Sequence, residues 1–141
     1  MISITKIFHF ETAHAIANYE GPCKDIHGHS YELHICVAAK TASDAYIPGT
    51  GILVDFKEIK EIVRTAIVKP LDHKLILSDA FLKQHPGLEN EKNIMLFDAE
   101  PTAENLLIYI KQKVQERLPD HVVLHRMRLY ETKGSYAEWT A

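Results

Sequence analysis

The chain has 141 residues, enough for one domain with a real core and too few to argue for two. Hydrophobic residues at 46% and charged residues at 25% fit a soluble globular protein, and no apolar run approaches the ~20 residues needed to cross a bilayer. A net charge of -3 leaves no basic footprint for nucleic acid, and two cysteines without a basic-then-apolar leader predict reduced thiols in the cytoplasm.

The opening alternates: Ile2, Ile4, Phe8, Phe10, Thr12 and His14 share one parity, which predicts a half-buried strand with His14 in phase with the apolar face. Residues 15–25 contain Asn18, Gly21 and Pro22 and read as a loop. Alternation resumes over 27–39, with His27, His29, Tyr31, Leu33, Ile35 and Val37 on one face. Pro48-Gly49-Thr50-Gly51 marks a tight connection before a short strand, Ile52 to Val54. Asp55 then caps a helix whose apolar stripe runs from Phe56 to Ile67 and stops before Pro70. Leu71-Asp72-His73-Lys74 follows that stop as irregular chain, Ser78 to Gln84 reads as a short helix, and Asn93 to Phe97 as a short apolar strand. Thr102 caps a second long helix with Leu106, Leu107, Ile110, Val114 and Leu118 on its buried stripe. A strand over 121–132 turns at Lys133-Gly134-Ser135 into a last strand through Trp139. Strands grouped into antiparallel hairpins with two long helices predict an α+β fold, helices on one sheet face. The other face reads as apolar in part and is expected to be covered by another copy of the chain.

The chemistry collects around Cys23-x-x-x-His27-Gly28-His29. In an extended chain His27 and His29 point the same way, and glycine between them lets the backbone approach a bound group. His14 ends one inward-facing row and His27 begins the next, so a hairpin brings three imidazoles together. Three neutral imidazoles and an open position describe a catalytic zinc site. Cys23 is either a fourth ligand closing that site or a nearby base, since a cation beside a thiol favours the thiolate. Asp72-His73 reads either as a helix C-cap or as a carboxylate-oriented proton relay. Glu131 shares parity with apolar residues and has no cation beside it, so a ligand with several N–H donors would satisfy it. His9, His34, His85, His121 and His125 read as surface or hydrogen-bonded side chains.

The segments Phe10-Glu11-Thr12-Ala13-His14, Cys23-x-x-x-His27-Gly28-His29, Val54-Asp55-Phe56, Leu71-Asp72-His73, Pro101-Thr102-Ala103-Glu104-Asn105 and Tyr130-Glu131-Thr132 occur in an order that resembles the 6-pyruvoyltetrahydropterin synthase / 6-carboxytetrahydropterin synthase family. The three-residue gap between Cys23 and His27 resembles its bacterial, queuosine-pathway branch. That resemblance implies a single domain over 1–141 with a tunnelling fold. In that fold a four-stranded antiparallel sheet carries two helices on one face, and chains assemble as trimers or hexamers around a barrel, with active sites at subunit interfaces. It implies 7,8-dihydroneopterin triphosphate as substrate and zinc held by His14, His27 and His29. Cys23 would be the base, Asp72 and His73 its relay, and Glu131 the pterin anchor, with Thr102 and Glu104 as further substrate contacts.

The segment from Leu75 to Glu100 departs from the family's compact members by its length. Three alternatives stay open at this level. One is triphosphate elimination to the pyruvoyl product alone. Another is a zinc hydrolase using Glu11 or Asp25. The third is a non-catalytic pterin- or purine-binding module with structural zinc.

Overall fold

In this computed structural model, which describes residues Met1–Ala141, six strands form: β1 (Ser3–His14), β2 (His27–Ala39), β3 (Lys74–Ser78), β4 (Ile94–Phe97), β5 (Val122–Thr132) and β6 (Ser135–Thr140). They make one sheet in the order β4-β3-β1-β2-β5-β6. The β1–β2, β2–β5 and β5–β6 pairs are antiparallel, as the alternation predicts. The expected four-stranded antiparallel sheet is nevertheless corrected to a six-stranded mixed one, because β3 runs parallel to β1 and β4 parallel to β3. The physical reason lies in β3. It is buried on both faces, so its Leu-Ile-Leu run shows no alternation to mark it as a strand. The expected strand at Ile52 to Val54 does not form; those residues make a bend before the helix.

Helix α1 (Phe56–Val63) starts where the Asp55 side chain accepts the Lys57 N–H at 2.8 Å. It does not stop before Pro70. A π-helical stretch, Arg64–Val68, widens the spiral just ahead of the proline, and helix α2 (Lys69–Leu71) carries the chain through it. A proline ring clashes with the carbonyl four residues back in a regular helix, and a wider turn relieves that clash. Helix α3 is Asp79–Gln84 and α4 is Ala103–Gln115, capped by Ser78 and Thr102 respectively. Ala103, Leu106, Leu107, Ile110 and Val114 recur every three or four residues and bury one stripe of α4.

The main core joins α1, α4 and the inward row of the sheet, including Phe8, Phe10, Tyr31, Leu33, Ile35, Met127 and Leu129. Ile76 of β3 points into it, whereas Leu75 and Leu77 point the other way. There they meet Phe81 of α3 and Ala15 and Ala17 of the loop after β1, forming a second small core. The outward face of the central strands carries Thr5, Ile7, His9, Glu32, His34, Arg128 and Glu138, with hydrogen bonds from His34 to Glu32 and from Arg128 to Glu138. Ile7 is exposed among these polar groups. The face is apolar in part, as expected, since Cys36, Ala38, Val123, Tyr130 and Tyr136 share these outward rows with the charged and hydrogen-bonded groups. No helix is long and apolar enough to cross a membrane.

Candidate metal centre and active site

The β1–β2 register sets the site. His14 lies directly opposite His27, and Thr12 opposite His29, so three imidazoles of one parity gather at the end of the hairpin. Their ring centroids are 4.6 to 5.1 Å apart, and one ring nitrogen from each lies within 4.8 Å of the others. The His14 Nδ1–H donates to the Pro101 carbonyl at 2.6 Å, and the His27 Nδ1–H donates to the Asp25 carbonyl at 2.7 Å. A carbonyl has no proton to give, so both rings carry a proton on Nδ1 and present Nε2 to the cluster. The two Nε2 atoms face each other at 3.0 Å, a separation that a shared proton or a metal ion between them would satisfy.

His29 supplies the second observation. Its Nε2 is buried with no hydrogen-bond partner, and the nearest carboxylate oxygen of Glu131 is 3.6 Å away. Burial holds the His14 and His29 imidazoles below their ordinary 6.5, against the Pro101 carbonyl at His14 and the Glu131 charge at both. Neutral imidazoles with fixed tautomers are the ligand form. A tetrahedral ion with metal–nitrogen bonds of 2.0–2.1 Å would set its nitrogens about 3.3 Å apart; His14 and His27 stand at 3.0 Å, and all three rings offer a nitrogen within 4.8 Å of the others. The cluster fits a metal ion.

A cleft of about 530 Å³ opens beside the cluster. His14 forms its inner wall, and Cys23, Thr102, Glu104 and Glu131 line it with Ile16, Tyr19 and Tyr136. Cys23 rides on a short 3-10 turn, Pro22–Lys24, and its thiol is half-buried and free of disulfide. The three-imidazole group forms without it. Tyr31 backs the cluster, stacked on Phe10 at 5.3 Å; its hydroxyl lies 3.5 Å from the His14 Nδ1, and burial pushes that hydroxyl far up from 10.

Asp72 and His73 stand elsewhere. The Asp72 carboxylate accepts the Glu11 N–H at 2.8 Å, the His73 N–H donates to the Glu11 carbonyl, and the His73 Nδ1 is 3.1 Å from Asp72. His73 has a positive φ of 61° and lines a second cleft with Glu11, Gly28, His29 and Ser30. Within one chain, then, Cys23 and His73 line different clefts. Gly28 also faces that second cleft, and a Cβ there would meet the Thr12 carbonyl at an ordinary 3.7 Å. Sequence reasoning missed the Pro101 carbonyl, the orienting partner of His14, because a backbone group leaves no residue signature.

The sequence profile described as 6-pyruvoyl tetrahydropterin synthase matches residues 3–141. The chain belongs to the 6-pyruvoyl tetrahydropterin synthase family. Within the family it is 29% identical to the 6-carboxy-5,6,7,8-tetrahydropterin synthase of Rickettsia felis over 142 residues, covering 98% of this chain and 99% of that one. It is 28% identical to the protein of the same name from Haemophilus influenzae, covering 99% of each. The Caenorhabditis elegans 6-pyruvoyl tetrahydropterin synthase shares the family fold with a TM-score of 0.70 at 17% identity, over 99% of this chain and 95% of that one.

Proposed function

We propose that this protein is a zinc-dependent lyase converting 7,8-dihydroneopterin triphosphate to 6-carboxy-5,6,7,8-tetrahydropterin, with loss of acetaldehyde and triphosphate, in the cytoplasmic route to queuosine. The observation that carries the reading is one cleft lined by a free thiol, the Glu131 carboxylate and His14 of the three-imidazole cluster. The names of the two bacterial relatives, matched over nearly their whole length, support the product.

Held by His14, His27 and His29, zinc supplies Lewis acidity toward the hydroxyls of the substrate side chain, which makes the neighbouring C–H bonds easier to ionise. Cys23, as thiolate, takes a proton from the side-chain carbon and returns it at the adjacent one. Glu131 accepts the ring N–H and exocyclic amine of the pterin, two donors that match a carboxylate fork. Thr102 and Glu104 line the substrate's path. Asp72 orients His73, which exchanges protons with Cys23. Because the two lie in separate clefts of one chain, this relay works between copies, with His73 of one chain facing Cys23 of the next in a trimer or hexamer.

The test is to incubate zinc-loaded protein with dihydroneopterin triphosphate and identify products by mass spectrometry. Acetaldehyde with the 6-carboxy product supports the proposal, the 6-pyruvoyl product moves the chain to the other activity, and no triphosphate release sinks both. Cys23→Ala is expected to lower turnover about 10²- to 10⁴-fold while bound zinc stays unchanged. Loss of zinc in that variant would make Cys23 a ligand instead.

A further inference from the structure

The loop that carries Cys23 is held in place by the segment between β3 and α4, and the hold passes through one side chain. Glu100 follows β4, and both of its carboxylate oxygens are engaged. Oε2 accepts the Ala17 backbone N–H at 2.9 Å, and Oε1 accepts the Ser78 hydroxyl at 2.7 Å. Ala17 and Ser78 are both buried, so the bridge crosses the interior between the loop and the end of β3. A buried amide has to be paired, and a carboxylate held by two donors cannot swing away from either. The amide next to Ala17, that of Ile16, donates to the Cys23 carbonyl at 2.8 Å. Two successive amides therefore link Glu100 to the residue that carries the thiol. Asn18, the next residue, sits in the left-handed region at φ 57° and accepts a hydrogen bond from Gln84 of α3 at 2.8 Å. The backbone of the same short strap continues around the cleft: the Pro101 carbonyl holds the His14 ring, and Thr102 caps α4.

We propose that Glu100 is a positioning residue for Cys23: through the Ala17 and Ile16 amides its carboxylate sets where the thiol stands in the cleft. Glu100 itself lines neither the cleft nor the imidazole cluster. The inference rests on the reading of Cys23 as the base. It also explains what the long 75–100 segment contributes, since that segment delivers a carboxylate to the underside of the Cys23 loop.

The experiment compares the full-length, metal-loaded protein with Glu100→Ala, Glu100→Asp and Glu100→Gln. Cys23 alkylation by iodoacetamide is followed across pH by peptide mass spectrometry, with buried Cys36 as internal reference, beside zinc content and kcat and KM for dihydroneopterin triphosphate. Glu100→Ala is expected to change the alkylation rate at least about fivefold and lower kcat at least about tenfold, with KM within about threefold and zinc retained. Glu100→Asp, one methylene short of spanning both donors, is expected to follow it, and it decides the matter if the alanine variant does not fold. Glu100→Gln, which keeps an oxygen for the Ala17 N–H but takes the acceptor from the buried Ser78 O–H, is expected to fall between wild type and alanine in both readouts. Alkylation and kcat unchanged in the folded Ala or Asp variant, even with a lower Tm, would overturn the proposal. So would a glutamine variant as impaired as alanine. If the wild type shows no turnover, the lyase reading fails, and the alkylation rates still decide the role of Glu100.

Discussion

Asp72 shows how one side chain ties two parts of the chain together. Its carboxyl is held below the ordinary 3.8, chiefly by the Glu11 N–H and then by His73. The unfolded chain then binds more protons than the folded one in acid, so this group's stabilising effect is complete above pH 3.8 and is lost as pH falls through the lowered value. Asp72→Asn is expected to flatten the acid limb of stability: urea midpoints of variant and wild type should converge as pH drops below about 4 and diverge above it. A constant gap over that range would mean that the carboxylate charge is irrelevant. At this scale the sequence was informative wherever a side chain's chemistry and phase acted together. His14, His27 and His29 were legible because each ends or begins an inward row, and Glu131 because an acid stood among apolar neighbours. Glu100 was opaque, since an acid just before Pro-Thr reads as ordinary polarity near a helix start. Its meaning depends on Ala17 and Ser78, far off in the chain.

The elements divide in the same way. The long strands β1, β2 and β5 and the helix α4 were legible from periods of two and of three to four. Strand β3 was not, because a strand covered on both faces carries no period, and the passage through Pro70 was not, because only the spiral's local widening permits it. Phe81 is the large side chain of the second small core, and it is 3% exposed. Phe81→Ala should cost about 3 to 4 kcal/mol and lower Tm by roughly 10 °C. Because Ala15 and Ala17 pack in the same cluster, the loop of residues 15–25 should also become a protease cleavage site before the rest of the chain does. A Tm shift without new cleavage there would show that the loop does not depend on this packing.

For the whole molecule, the separation of Cys23 and His73 into different clefts is the decisive geometry. If the relay works between copies, Cys23→Ala and His73→Ala preparations, each inactive alone, should regain about a quarter of wild-type activity when unfolded and refolded as a 1:1 mixture, because random assembly restores about one interface in four. No recovery in mixed oligomers would confine the chemistry to single chains and remove His73 from it.

The pairing of β1 with β2 has one more consequence. Sliding one strand past the other by a single residue would send His27 and His29 to the opposite side from His14, along with Tyr31, Leu33 and Ile35. An ion held by the three rings would therefore favour the observed alignment of the hairpin over any one-residue slip, and so would help to proofread its folding.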